Sequence, residues 1–474
     1  MAPLVVLGIA LPPFTVAMAQ DDGGGDDGES DDGGSDDGGS DDGGTTAGDD
    51  DDDDGGTKTG NADDDRGLSP ASTGSRGGLL ERMFGSDIVQ PEERRQPARR
   101  PAAFAPELIV SGLSEADLAT LQREGFRLIE RRAIGSVGTT IDRLAVPRGR
   151  TLAEGRARVR RLTSGGDADF NHFYRPTQDE APAQGLPDEC GHDNCPHWRL
   201  IDWPSKRSDA GSCGKIAPIG LIDTGINPDH DTLRGARLTL LSRSSAQEAG
   251  SRAVHGTAIA SLIAGRPGSR VEGLLPDAEI LAVDVFSSVA GDERADAGAL
   301  VEGLDLLAQR GVRVINMSLS GPPNAVLATM LDRLTSEPGL DAVVVAAAGN
   351  GGPTAEPAWP AAHPRVIAVT ALDPRGRVYR RAQRGEHLGL AAPGVNLLVA
   401  TSIRGARAAS GTSFAVPFVT AAAALALGHG EKVPAATVRE RLFAGARDLG
   451  APGRDPIFGH GAVTTTDLCA ASTP

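Results

Sequence analysis

A chain of 474 residues is longer than one ordinary domain needs, and its 62 glycines, 32 prolines and 3% aromatics average two different kinds of sequence. Its net charge of −17 is local: residues 21–65 hold 19 Asp and one Glu against one Lys, a charge of −19, so everything else sums to +2. That remainder is rich in Ala, Val, Leu and Ile, enough for a sizeable core. It carries no basic stripe interleaved with aromatics, which leaves nucleic-acid binding without support.

Residues 1–19, MAPLVVLGIALPPFTVAMA, are apolar and uncharged and end in the small-x-small pattern Ala17-Met18-Ala19. They read as a secretory signal peptide cut before Gln20, which implies a secreted or periplasmic protein, although a basic n-region is missing. The alternative is an uncleaved membrane anchor; Pro12 and Pro13 interrupt the run and it is short for a span. Residues 20–66 repeat Asp-Asp-Gly-Gly-Ser with almost no apolar side chains, so burial cannot offset the entropy of ordering them. The tract reads as a disordered, self-repelling spacer. Carboxylates suit calcium, but the defined loop pattern ending in a bidentate Glu is absent. Residues 67–103, with Arg94-Arg95-Gln96-Pro97 and Arg99-Arg100-Pro101, read as a basic linker.

Order is expected from Phe104 to Pro176. Glu107–Ser111 is a strand pattern, and Ser114 caps a helix over 115–126 with Leu118 and Leu121 on one face. Strands follow from Arg127 and from Thr139, Thr151 opens a second helix over 152–162, and Asp167–Pro176 is a closing strand. The order β-α-β-β-α-β predicts a small α+β, ferredoxin-like module, which by itself says nothing of function.

Residues 177–213 form a linker rich in Pro, Gly and polar groups. With Cys469 it holds the four cysteines, Cys190, Cys195, Cys213 and Cys469. Export and an even count favour two disulfides with three possible pairings; Cys190–Cys195 and Cys213–Cys469 are the expected pair. The run from Cys190 through His192 and Cys195 to His197 has zinc-ligand residue types, but its spacing is tighter than structural zinc sites use.

Residues 214–474 change character. The runs from Ile216, Glu279, Arg313, Asp341 and Arg365 are continuously apolar, the mark of strands buried on both faces in a parallel sheet. Helical stretches over 297–310 and 326–334 separate them, giving a layered α/β domain.

Three segments carry chemistry. Leu221-Ile-Asp223-Thr-Gly ends a buried strand in a carboxylate, which is costly without a partner. His255-Gly-Thr heads a helix. Gly411-Thr-Ser413 heads another, with Pro417 expected in its first turn. A serine hydroxyl is a weak nucleophile that needs a neighbouring base, and a carboxylate fixes the tautomer of a histidine base. Each segment alone is weak. Asp-Thr-Gly also occurs in aspartic proteases, but those need a second copy and none is present.

Together, in the order Asp, His, Ser, these segments resemble the subtilisin-like (subtilase) serine protease family, over about residues 216–463. The resemblance implies a subtilisin-like three-layer domain with a mainly parallel sheet, and a secreted endopeptidase with Asp223, His255 and Ser413 as its triad. Val345-Ala-Ala-Ala-Gly-Asn350 looks like the segment whose Asn donates to the oxyanion, with the Ser413 N–H as partner donor. Asn316-Met-Ser318-Leu319-Ser320-Gly321 resembles the strand that pairs with substrate, the other wall being Ala347, Ala348 and Gly349. Such pairing implies extended or unfolded polypeptide substrates. Residues 104–176 resemble the family's propeptide, which would inhibit the enzyme after self-cleavage within 177–190.

Departures are Ala258 and Phe418 where the family often has His, and Phe414 where it often has Met. Residues 266–273 lack the Asn-rich calcium loop of many secreted members, so no cofactor is implied as required and calcium has no recognisable site. The alternatives are a catalytically inactive subtilase-fold binding or surface protein, which the complete triad opposes, and the related class with Glu in place of His, which His255 opposes.

Overall fold

A computed structural model describes residues 101–163, 166–177, 195–203, 215–243, 250–428, 433–466 and 468, all within one compact unit, Arg94–Pro474. The signal-peptide, acidic-tract and processing-linker segments expected before residue 101 and over 178–194 lie outside the described residues, as do Cys190, Cys213 and Cys469.

The small module is built from β1 (Phe104–Ser111), α1 (Glu115–Arg123), β2 (Arg127–Ile134), β3 (Thr139–Ala145), α2 (Leu152–Leu162) and β4 (Ala168–Pro176). Its helices start where side chains satisfy free amides: Ser114 accepts from Asp117 N, and Thr151 and Glu154 form a reciprocal capping box. The strands lie in the order β2-β3-β1-β4 with antiparallel neighbours. Side chains alternate across β1. Leu108 and Val110 face the module's own core with Leu121 and Val159, while Ile109 joins the core of the large domain with Leu300 and Leu327. A sheet buried on both faces needs that docking.

The large domain follows with α3 (Pro196–Leu200), β5 (Ile219–Asp223), β6 (Arg237–Leu241), α4 (His255–Ala264), β7 (Glu279–Asp284), and a hairpin of β8 (Ser287–Val289) and β9 (Asp292–Asp296). It continues through α5 (Ala297–Ala308), β10 (Val314–Met317), β11 (Leu319–Ser320), α6 (Ala325–Leu334), β12 (Val343–Ala347), β13 (Ile367–Leu372) and β14 (Leu388–Pro393). It ends with β15 (Leu397–Ala400), β16 (Ala406–Ala409), α7 (Thr412–Leu427) and α8 (Ala435–Ala444). Seven parallel strands, β14-β13-β12-β10-β5-β7-β6, form the central sheet. Helices α4 and α7 cover one face and α5 and α6 the other, which is the three-layer subtilisin-like arrangement expected. The apolar run from Ile216 enters the sheet only at Ile219, after Pro218, which has no N–H to give a ladder.

Docking of the module uses helix termini. Asp169 Oδ2 accepts from Ala325 N, and Asn171 Oδ1 accepts from Gly298 N, so β4 supplies acceptors to free amides at the starts of α6 and α5. Asp305 on α5 accepts from Ser136 N at 2.8 Å in return. These bonds, with the Arg132–Glu302 ion pair, aim the end of β4 along the large domain towards Ser413.

Candidate active site

Asp223 is the last residue of β5 and is 1% exposed. Its Oδ1 accepts from Thr224 N and from His255 Nδ1, both at 2.7 Å. A carboxylate only accepts, so Nδ1 carries the imidazole proton and Nε2 presents a lone pair. Nε2 is buried and has no hydrogen-bond partner among the described residues. His255 opens α4, and the next residue has to be glycine. A Cβ on Gly256 would stand 2.3 Å from the Thr224 carbonyl oxygen and 2.7 Å from that of Gly225. Without one, the head of α4 closes on the turn after β5, where Gly256 N donates to Thr224 Oγ1 at 2.7 Å.

Ser413 is the second residue of α7 and fully buried. Its hydroxyl does not bond to His255 Nε2. It donates to the Ser318 carbonyl at 2.9 Å and also meets Thr177 Oγ1. Ser318 Oγ donates in turn to the Ser413 carbonyl at 3.0 Å, and accepts from Asn316 Nδ2 at 2.9 Å. The reason lies four residues on. Pro417 is the sixth residue of α7, not in its first turn as expected, and it has no N–H to give the Ser413 carbonyl. Ser318 takes that place, tying the junction of β10 and β11 to the helix that carries Ser413. The Phe414 ring sits beside His255, with centroids 5.6 Å apart.

Asn350 lies beyond the end of β12. Its Oδ1 accepts from Thr412 N at 3.1 Å and from Thr412 Oγ1 at 3.0 Å, which fixes the amide so that Nδ2 points the other way. Nδ2 donates to the Thr177 carbonyl at 3.0 Å. The peptide carbonyl that follows β4 therefore receives the asparagine donor, while the side chain of the same residue touches Ser413. Thr412 is a positioning residue that motif reasoning passed over; its signal was its place between Gly411 and Ser413.

The strand expected to pair with substrate lies against the chain's own β4. Leu319 and Ser320 of β11 pair antiparallel with Pro176 and Arg175 of β4. Gly321 continues into a bridge with Trp359, and a Cβ there would stand 2.5 Å from the Tyr174 ring. The second wall differs from expectation. Ala347, Ala348 and Gly349 do not pair with β4, because their neighbouring backbone groups are taken: Ala348 N donates to Val369 O, Gly349 N to Thr412 Oγ1, and Gly349 O accepts from Gln383 N. Strand β9 stands there instead, with Tyr174 opposite Ala295 and Phe173 opposite Asp296.

Cys195 is disulfide-bonded; the expected pairings involve Cys190, Cys213 and Cys469, outside the described residues. His197 Nε2 donates to the Val395 carbonyl at 3.0 Å, and its Nδ1 lies 3.7 Å from Cys195 Sγ. Among the described residues no group of three or more His, Cys, Asp or Glu could hold a metal ion, and no helix is long and apolar enough to cross a membrane.

The subtilase family model matches residues 214–461, more than half of the chain. Minor extracellular protease Epr of Bacillus subtilis (strain 168) is 29% identical over 57% of this chain and 41% of its own length. Subtilisin E of the same organism is 34% identical over 51% of this chain and 63% of its own length. Subtilisin DY of Bacillus licheniformis is 34% identical over 51% of this chain and 87% of its own. The match thus spans less than two thirds of the first two relatives. Among solved structures, fervidolysin from Fervidobacterium pennivorans, described as a keratinolytic enzyme related to subtilisin, superposes with a TM-score of 0.63 at 19% identity. That superposition covers 79% of this chain and 62% of fervidolysin, and it supports the fold alone.

Proposed function

Because the chain belongs to the subtilase family, we propose that it is a secreted serine endopeptidase, made as a precursor that cuts itself after Thr177. One observation carries this reading: the Thr177 carbonyl accepts from Asn350 Nδ2 while Thr177 Oγ1 touches the Ser413 hydroxyl. A carbonyl that receives an oxyanion-type donor, on a residue whose side chain touches the nucleophile, supports a substrate pose.

In the proposed reaction the Ser413 hydroxyl leaves the Ser318 carbonyl and turns to His255 Nε2, whose lone pair has no partner among the described residues. Ser413 Oγ then attacks the carbonyl carbon as Nε2 takes its proton. Asp223 holds the Nδ1–H tautomer and stabilises the imidazolium. Asn350 Nδ2 and the Ser413 N–H, near the start of α7, donate to the oxygen as it becomes negative. The imidazolium gives its proton to the leaving amine of Gln178, and water hydrolyses the acyl-enzyme by the same route in reverse. None of these proton transfers calls on a cofactor.

Substrates are extended polypeptide chains, since β11 and β9 offer backbone pairing on both sides of one strand. After the cut, the module of residues 104–176 remains as an inhibitor, because β4 fills the cleft. The apolar start of the chain serves as the signal peptide, and export then permits the pairs Cys190–Cys195 and Cys213–Cys469.

Labelling with a fluorophosphonate tests the activity. Matured wild type reacts and Ser413→Ala does not. An unlabelled, correctly folded wild type that also cleaves no unfolded protein would assign the chain to the inactive, binding class.

A further inference from the structure

Counting back from the Thr177–Gln178 bond, the third residue is Arg175. Its guanidinium meets the Asp292 carboxylate side-on, Nε to Oδ1 and Nη2 to Oδ2, both at 2.8 Å. Two parallel charge-assisted bonds to one planar carboxylate select for guanidinium geometry as well as for positive charge. The same side chain gives Nη2 to the Ala102 carbonyl, a group that a peptide arriving from outside does not bring. For such a peptide the Asp292 contact is the one the enzyme itself provides.

Asp292 is held in place. It begins β9, directly after the two-residue turn Ala290-Gly291, in which both residues have positive φ, 50° and 83°, as a tight hairpin turn requires. Arg294 Nη1 donates to Asp292 Oδ2 at 3.1 Å, and the Arg294 guanidinium lies over the Phe173 ring, 4.1 Å from its centroid. The Arg175 guanidinium, aided by Arg294, holds the Asp292 carboxyl below the usual carboxylate range. Strand β9 pairs antiparallel with β4 at Phe173–Asp296 and Tyr174–Ala295; continued by one residue, that register sets Arg294 across from Arg175, and Asp292, two residues further on the same face, meets the Arg175 side chain diagonally. Nothing in the Asp223–His255–Ser413 chemistry uses this carboxylate.

We propose that Asp292 is a specificity-determining residue that makes the cleft prefer a basic side chain, arginine above lysine, at the third position before the cleaved bond. The inference rests on the peptidase reading and names the substrate class for it: extended segments of the type aromatic-Arg-Pro-Thr. The Arg175 and Asp292 side chains are 32% and 24% exposed, so solvent screening keeps the effect moderate. The expected preference for Arg over Ala is about 3- to 10-fold in kcat/KM, with Glu poorer than Ala because two carboxylates would face each other.

The test uses the peptide Phe-Tyr-Arg-Pro-Thr-Gln-Asp-Glu, which copies residues 173–180, and versions with Lys, Ala or Glu in place of Arg. Rates are expressed per fluorophosphonate-titrated site, so partial misfolding of a variant does not enter. Wild type should rank Arg, Lys, Ala, Glu. Asp292→Asn should bring the Arg-to-Glu ratio close to one, and Asp292→Lys should invert it. In the full chain, Arg175→Glu should slow self-cleavage, and adding Asp292→Lys should restore it. Equal cleavage of the Arg and Glu peptides by wild type, or a ratio unchanged in Asp292→Asn, overturns the role of Asp292 and leaves the peptidase reading standing. Cleavage of no peptide at all overturns both.

Discussion

Asn350→Ala should damage two properties at once, because the two ends of the amide do different work. Its Nδ2 donates to the Thr177 carbonyl at 3.0 Å, the position in which negative charge would develop. Removing such a donor lowers kcat by about 10²–10³, or roughly 2.7–4 kcal/mol, a magnitude taken over from the equivalent donor in subtilisin. KM should change little, since the bond strengthens chiefly as the carbonyl becomes an oxyanion. Its Oδ1 accepts from Thr412 N and Thr412 Oγ1, and Thr412 is fully buried. Losing that acceptor leaves Thr412 N without its partner, at a cost of about 1–3 kcal/mol of stability. Asn350→Asp separates the two roles: the carboxylate keeps the acceptor for Thr412 but sets negative charge against the oxyanion. Turnover of a peptide by matured enzyme gives the kinetic half, and denaturant unfolding in a Ser413→Ala background, where self-digestion is off, gives the other. The reasoning is refuted if Asn350→Ala keeps its kcat, or if Asn350→Asp is as active as wild type.

Ser318→Ala should destabilise the Ser413→Ala chain by roughly 2–4 kcal/mol, because it strips donors or acceptors from two buried partners, the Ser413 carbonyl and Asn316 Nδ2, and Pro417 cannot replace the first; a loss under about 0.5 kcal/mol in denaturant unfolding contradicts it. Burial holds the His172 imidazole below its ordinary pKa, with Asp169 opposing and Arg156 adding to the shift, and Asn324 Nδ2 bonded to its Nδ1. The unfolded chain therefore takes up this proton first as pH falls through about 6.5, so the contribution is complete above that value and is lost below it. His172→Asn should make the thermal midpoint of the Ser413→Ala chain fall less between pH 7.5 and 5; an identical fall removes His172 from the account. Non-reducing peptide mapping should find Cys190–Cys195 and Cys213–Cys469, and any other pairing of Cys195 rejects that scheme.

Much of the site was legible because its parts are local. Asp223, His255 and Ser413 each sit at a strand end or helix start that apolar periodicity marks, and Asn350 follows a run of buried alanines. The caps at Ser114 and Thr151 were equally plain, since a capping side chain acts within three residues. What escaped was set by contacts distant in sequence. Asp292–Asp296 is four charged residues in five and becomes a strand only because β4 lies beside it. With no strand pattern visible there, the sequence points to Ala347–Gly349 as the second wall. The sequence pattern puts Pro417 in the first turn, but Thr412 begins α7 and the cost of an interior proline is offset by Ser318, 95 residues before the Ser413 whose carbonyl it serves.

The central claim is that residues 168–177 lie in the cleft as the enzyme's own first substrate. N-terminal sequencing and intact mass of the wild-type and Ser413→Ala chains, each expressed without other proteases, test it directly. Wild type should yield a mature chain beginning at Gln178, and Ser413→Ala should stay joined through Thr177 until wild-type enzyme is added. A Ser413→Ala chain that ends at the same mature N-terminus by itself would contradict the account.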